Sequence, residues 1–66
     1  MQLTINGKPE KLEVSTISDV LKAKDIDPQL VAVELNTQMI DNEHLATTSV
    51  KDGDKLEFLF FMGGGQ

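Results

Sequence analysis

The sequence contains no cysteine, no tryptophan and no tyrosine. Without cysteine the chain can form no disulfide, offers no thiolate nucleophile and lacks the ligand that most structural zinc sites use. The aromatic residues are three phenylalanines, so the apolar set is dominated by Leu, Ile and Val. This composition is compatible with a reducing compartment and excludes thiol chemistry as the basis of function.

Basic residues are scarce, because 6 Lys and Arg stand against 11 Asp and Glu and give a formal net charge of −5. An excess of carboxylates repels phosphate backbones and anionic lipids, so we expect neither nucleic-acid nor membrane binding. A basic surface on a partner protein would suit this charge better. No apolar run approaches the roughly 20 residues of a membrane span, and the N-terminus does not resemble a signal peptide. We therefore expect a cytoplasmic protein.

The length of 66 residues predicts one domain. A domain near this size buries only about 60% of its unfolded-chain surface and can rarely build a deep pocket alone. The length therefore favours a carrier, a binder or a modifier over an enzyme. We expect a folded domain over residues 1–62 and a flexible glycine tail over residues 63–66.

The first half of the sequence predicts a hairpin followed by a helix. Polar and apolar residues alternate on both sides of Asn6-Gly7, a dipeptide typical of tight hairpin turns. This alternation predicts a hairpin over residues 1–14, with its second strand over residues 10–14. Apolar residues at helical spacing then predict a helix over residues 17–24.

The predicted helix has a start and a stop signal. Thr16 and Asp19 form a capping-box pattern, with Asp in the place of the usual Glu. Asp25 and Pro28 end the helix, since the residue before a proline avoids the α region.

The second half predicts a further sheet. Residues 30–35 form a run of β-formers, a turn precedes a short return strand at residues 39–40, and residues 41–46 form a loop or a single helical turn. Residues 55–61 form the last strand. The order of elements predicts an α+β fold in which one main helix packs across one face of a mixed sheet.

The last strand is apolar on both faces. The alternation assigns Leu56, Phe58 and Phe60 to one face, which we expect to be the core face. Leu59 and Phe61 then lie on the opposite face, which the helix does not cover, and Met62 follows them. We predict that Leu59, Phe61 and Met62 form a partner-binding patch beside the tail.

The tail Gly63-Gly64-Gly65-Gln66 contains three consecutive glycines, a composition that favours neither helix nor strand. Glycines are the most costly residues to order and bury no side chain, so they serve no folding purpose here. A tail without β-carbons can enter a narrow channel of another enzyme and present an unhindered carboxylate. Adenylation would activate that carboxylate, and a sulfur nucleophile supplied by a persulfide would displace AMP and leave a thiocarboxylate. No phosphate-binding loop is present, so we expect no bound cofactor and assign ATP and Mg²⁺ to the partner enzyme.

Several segments together resemble the ThiS family of sulfur carriers. These are VAVELN at residues 31–36, the DGD turn at residues 52–54, the apolar strand after it and the glycine end. The resemblance covers the whole chain and implies a ubiquitin-like β-grasp fold with a four- to five-stranded mixed sheet. It also implies adenylation by an E1-like enzyme similar to ThiF and sulfur delivery to a thiazole synthase similar to ThiG, for thiamin biosynthesis. By position, Gly64 and Gly65 match the family's diglycine, and Gly65 would bear the sulfur.

Gln66 departs from the family pattern, which ends at the second glycine. We therefore expect a C-terminal peptidase to remove Gln66 before activation. Related carriers with extra terminal residues serve other sulfur pathways, so an amino-acid or other cofactor pathway stays open as an alternative. So do a ubiquitin-like protein modifier and a non-catalytic β-grasp binding module with an inert tail.

The remaining polar residues predict no chemistry of their own. His44 has no neighbouring Cys and no second His, so we expect no metal site. Asp52 and Asp54 flank a turn glycine without the spacing of a calcium loop. Together with Glu57 we interpret them as charge partners for a basic enzyme surface.

Overall fold

The computed structural model describes residues 1–61. Its strands and helix, in chain order, are β1 (Gln2–Ile5), β2 (Lys8–Lys11), α1 (Ile17–Ala23), β3 (Val31–Leu35), β4 (Gln38–Ile40) and β5 (Lys55–Phe60). Two 3-10 segments, Pro28–Leu30 and Asn42–His44, lie in the connections. No helix in this described part is long and apolar enough to span a bilayer.

The strands form one mixed sheet with the order β2-β1-β5-β3-β4. β1 runs antiparallel to β2 and parallel to β5, while β3 runs antiparallel to both β5 and β4. The fold prediction is confirmed: the sheet has five strands and the one α-helix of the described residues packs on one of its faces. The strand that precedes the glycine tail is the central strand.

The core lies between α1 and the inner face of the sheet. The helix contributes Ile17, Val20 and Leu21, all nearly inaccessible to solvent. The strands contribute alternate residues, as half-buried strands do, namely Leu3, Ile5, Val31, Val33, Leu56 and Phe58. Leu45 and Val50 from the long connection before β5 close the cluster.

The first hairpin has the predicted turn but an earlier second strand. Asn6 and Gly7 have φ values of 49° and 83°, the positive angles of a two-residue hairpin turn. Such a turn pairs Ile5 with Lys8 directly. β2 therefore begins before the predicted range of residues 10–14 and ends at Lys11.

Helix α1 begins at the predicted capping box. Thr16 Oγ1 accepts a hydrogen bond from Asp19 N at 3.3 Å, and Asp19 Oδ2 accepts from Ser15 N at 3.0 Å and Thr16 N at 3.1 Å. The Ser15 and Thr16 backbone donors hold the pKa of the Asp19 carboxyl below its ordinary value, because they stabilise its charged form.

Helix α1 ends one residue before the predicted Lys24. Asp25 adopts φ of 59°, and Ile26 N donates to Leu21 O at 2.8 Å while Asp25 N donates to Lys22 O at 3.1 Å. These two bonds form a Schellman motif, which usually places glycine at the left-handed position. The Lys24 side chain turns back to β2 and pairs with Glu10 at 2.6 Å.

The second hairpin also uses a two-residue turn. Asn36 and Thr37 have φ values of 51° and 75°, and they connect Leu35 to Gln38 across the β3–β4 pair. Thr37 is β-branched, so a positive φ strains its backbone. The predicted loop or helical turn near residues 41–46 contains the 3-10 segment Asn42–His44.

One core assignment is wrong. Phe60 follows Leu56 and Phe58 on the inner face of β5, yet it is 56% exposed and lies outside the core cluster. Its direct partner on β3, Val31, is buried, so the core reaches this end of the sheet on the β3 side. On the other side the β1–β5 ladder stops at Ile5 and Leu56. Within the described residues no strand therefore flanks Phe60 on that side.

Candidate functional site

The predicted patch residues within the described part lie at the end of β5. Leu59 is 48% and Phe61 is 53% exposed, large fractions for apolar side chains of this size. Met62 and the tail residues Gly63, Gly64 and Gly65 lie outside the described residues. Partner binding by Leu59, Phe61 and Met62 stays a prediction.

A third apolar residue adjoins Phe61, and the sequence interpretation missed it. Phe61 N donates to Leu30 O at 2.9 Å, and Leu30 is 49% exposed. The sequence placed Leu30 at the start of a strand, but Pro28 begins a 3-10 segment that contains it. We call Leu30, Leu59 and Phe61 the apolar patch. Such a contiguous group on a small domain indicates a contact surface.

The end of β5 has one edge without a neighbouring strand in the described residues. The parallel ladder with β1 stops at Ile5 and Leu56, because β1 turns away at Asn6. One donor beyond that point is satisfied by a side chain: Phe58 N donates to Asn6 Oδ1 at 2.7 Å. The first hairpin turn therefore anchors the strand that leads to the tail.

Two carboxylates face each other on the outer face of the sheet. Glu34 of β3 and Glu57 of β5 are direct partners in the antiparallel ladder. Both lie beside a groove of about 470 Å³ that Lys55 and the strained Thr37 also line. We call Glu34 and Glu57 the carboxylate pair. Its charge makes this part of the outer face suited to a cationic group.

The other acidic residues assigned to partner contact serve the fold. Asp54 is 7% exposed and accepts from Asn36 Nδ2 at 3.0 Å and from Lys51 N at 2.7 Å. Asp52 Oδ1 accepts from Gln2 N at 2.6 Å. The expectation of a charge partner is wrong for Asp54, because a buried carboxylate with these donors holds the turn before β5.

His44 has two acidic neighbours that the sequence interpretation did not consider. Ligand atoms of Asp41, Glu43 and His44 lie within 4.8 Å of one another, and all three residues are exposed. Exposed acidic groups are common without an ion. The cluster lies in the connection between β4 and β5, outside the strand that leads to the tail, and we do not include it in the candidate site.

In a comparison with known protein families, the model described as the ThiS family matches residues 3–65 of this chain. The chain belongs to the ThiS family. The ThiS match begins at Leu3, the second residue of β1, includes the rest of the described domain and extends through Gly65.

Sulfur carrier proteins and thiazole synthases are among the proteins that are similar to this chain. The sulfur carrier protein ThiS of Bacillus subtilis is 34% identical, over 96% of this chain and 98% of the relative. A thiazole synthase of Paramagnetospirillum magneticum is 39% identical over 98% of this chain, but this chain spans only 20% of its length. The crystal structure of the thiamine biosynthesis protein ThiS from Geobacter metallireducens superposes with a TM-score of 0.84 at 42% identity, covering 98% of this chain and 100% of that one. The ThiS family and its β-grasp fold are thus confirmed for this chain.

Proposed function

We propose that this protein is a sulfur carrier whose Gly65 carboxyl group is converted to a thiocarboxylate and donates sulfur for thiazole formation in thiamin biosynthesis. The observation that carries the proposal is the ThiS match, which runs from residue 3 through the diglycine to residue 65. Relatives over nearly the full length of this chain are named sulfur carrier protein ThiS. In this scheme the chain is a protein cosubstrate and not a catalyst.

The chemistry begins with hydrolysis of the bond between Gly65 and Gln66 by a peptidase. The freed Gly65 carboxylate attacks the α-phosphate of ATP on a ThiF-like enzyme and releases pyrophosphate, with Mg²⁺ supplied by that enzyme. The terminal sulfur of a persulfide then attacks the acyl adenylate, displaces AMP and forms an acyl disulfide. A thiol attacks the other sulfur of that disulfide, which releases the thiocarboxylate and leaves a new disulfide. Glycine suits this position because it places no β-carbon beside the reacting carbonyl.

The apolar patch sets where a partner's reactive centre must lie. Phe61 precedes Gly65 by four residues along the chain, so their α-carbons can be at most roughly 14 Å apart. A partner that docks on Leu59 and Phe61 therefore needs its reactive centre within that reach. We propose that Leu59 and Phe61, with Met62, make this contact for both the adenylating enzyme and the thiazole synthase.

Mass spectrometry tests the proposal directly. Protein cleaved after Gly65 is incubated with the ThiF-like enzyme, ATP, Mg²⁺ and a persulfide donor, and its intact mass is measured. We expect a gain of about 16 Da, since sulfur replaces one carboxyl oxygen. The matched control is protein that retains Gln66, for which we expect no gain.

Two outcomes would contradict the proposal. One is the absence of a mass gain after cleavage, and the other is the same gain with Gln66 still attached. Conjugates of higher mass with other proteins would indicate a ubiquitin-like modifier instead.

A further inference from the structure

The carboxylate pair is an unfavourable arrangement in the isolated domain. Glu34 and Glu57 are directly opposite in an antiparallel ladder, which places their β-carbons roughly 5 Å apart. Like charges in this relation destabilise a sheet. The ion pairs among residues 1–61 join Lys24 to Glu10 and the N-terminus to Glu13, so neither Glu34 nor Glu57 forms a close ion pair with a described residue. Lys55 lines the same groove and can balance one of the two charges.

The pair has Lys55 on one side, where it lines the same groove, and apolar residues on the other. The next pair along the same face is Ala32 with Leu59, and Met39, which is 54% exposed, lies opposite Glu34 on β4. The pair is therefore continuous with the apolar patch. A protein that covers this face removes water from the two carboxylates. Lys55 can balance only one of the two charges, so the covering protein must supply a further cation or leave one carboxylate unpaired at a high cost.

We propose that the outer face of the sheet docks a thiazole synthase surface that inserts one guanidinium group between Glu34 and Glu57. This inference rests on the proposed function. A guanidinium is planar, carries several donors and loses hydration more readily than an ammonium, so one group can bridge two carboxylates within an apolar contact. Arginine is also enriched in the centres of protein interfaces.

Two observations favour the thiazole synthase as the occupant. In the thiazole synthase of Paramagnetospirillum magneticum, a segment similar to 98% of this chain is part of the synthase polypeptide. Linkage in one chain raises the effective concentration of one part for the other. A second copy of this chain is disfavoured on this face, because a symmetric contact would bring two carboxylate pairs together.

The carboxylate pair thereby reduces the stability of the free domain and increases its selectivity for one partner. Substitutions at Glu57 should move these two properties in opposite directions. In Glu57→Lys a Glu–Lys pair replaces the two like charges, so the free domain should become more stable while the guanidinium meets a positive charge. If Glu57 had a purely structural role, the stability of the free domain and the affinity for the partner would not change in opposite directions.

The test is a calorimetric titration of the full-length thiazole synthase from the same organism with the full chain and its variants, at low and at physiological salt. For Glu57→Lys we expect the dissociation constant to rise at least about tenfold and the midpoint of thermal unfolding to rise by about 2–4 °C. Glu57→Gln should show a smaller loss of affinity and a weaker salt dependence. Glu43→Gln, at an exposed glutamate outside the sheet, is the net-charge control for Glu57→Gln, since each change removes one negative charge, and it should leave both measurements unchanged.

Three results overturn the inference: unaltered affinity in Glu57→Lys, a lower unfolding midpoint in that variant, or no binding of the synthase by the parent protein. Self-association of the parent that Glu57→Lys abolishes would assign the face to a second copy. The mass gain at Gly65 is measured separately on the parent protein. A normal mass gain with unaltered Glu57→Lys affinity rejects this inference alone, whereas a missing mass gain rejects the proposed function.

Discussion

Asn6 Oδ1 accepts a hydrogen bond from Phe58 N at 2.7 Å, across 52 positions of the sequence. Asn6 sits in the first hairpin turn with φ of 49°, while Phe58 is a buried residue of the central strand. The side chain thus continues the β1–β5 ladder by one bond after the backbone of β1 has turned away. This bond holds the part of β5 that leads to the proposed sulfur-bearing residue.

Replacing Asn6 by glycine should destabilise the domain by about 1–2 kcal/mol, because the Phe58 amide loses its acceptor. Glycine adopts the positive φ of the turn readily, so the variant removes the acceptor without imposing a strained backbone angle. Asn6→Asp retains an acceptor and a residue tolerant of this φ, and should cost much less. Urea unfolding measures both variants, and equal destabilisation would contradict the role of the bond.

Thr37→Gly should stabilise the domain by about 1 kcal/mol, because glycine adopts the positive φ at this position without the backbone strain of a β-branched residue. The reciprocal change is Gly7→Thr in the first hairpin, at φ of 83°. An added β-carbon there meets no atom within 4 Å, so its effect comes from the backbone angle alone. Gly7→Thr should destabilise by a similar amount in urea unfolding, and shifts of the same sign in both variants would refute the strain argument.

Asp19 should make stability depend on pH in the acid range. Its pKa is lowered in the folded state, chiefly by the Ser15 backbone donor and then by that of Thr16. The stabilisation is therefore complete above the ordinary value of 3.8 and is lost as the pH falls through the lower folded value. Urea unfolding from pH 7 downward should show a steeper loss for the parent than for Asp19→Asn. Parallel curves for the two proteins would disprove the contribution of Asp19.

Phe61→Asp should weaken binding to both proposed partners while changing the free energy of unfolding by less than about 0.5 kcal/mol. The side chain is 53% exposed, so its removal opens no cavity. Phe58→Ala is the contrasting variant, because Phe58 is 4% exposed and its truncation should cost about 3–5 kcal/mol. A domain that unfolds with Phe61→Asp would show that this residue belongs to the core.

Local signals in the sequence predicted most of the fold. Asn6-Gly7, the Thr16 and Asp19 capping box and the alternation in β5 each depend on near neighbours. The structure has the turn, the capping box and the alternation as far as Phe58. The order of the predicted strands and helix was sufficient to predict a sheet with one helix packed on one face. The early start of β2 was not predicted, because a two-residue turn fixes the register and outweighs the weaker pattern around Pro9.

The site was only partly predictable, because exposure depends on which parts of a face other elements cover. Phe60 has the pattern of a core residue, but β1 pairs with β5 only as far as Leu56 and the Phe60 side chain is exposed. The sequence pattern predicts that Leu30 is a strand residue. In the structure Leu30 belongs to the 3-10 segment that begins at Pro28, and β3 starts one residue later. The Glu34–Glu57 relation depends on the register of two strands that are distant in sequence, and no local pattern reveals it.

The central position of β5 also bears on how the molecule is made. Within residues 1–61 the pairs β1–β2 and β3–β4 are joined into one sheet only through β5. A nascent chain cannot complete this sheet while β5 is still inside the ribosome, since the contacts that unite its two parts span most of the sequence. Partners that recognise the assembled outer face would therefore bind only completed, folded chains and not chains that are still being synthesised.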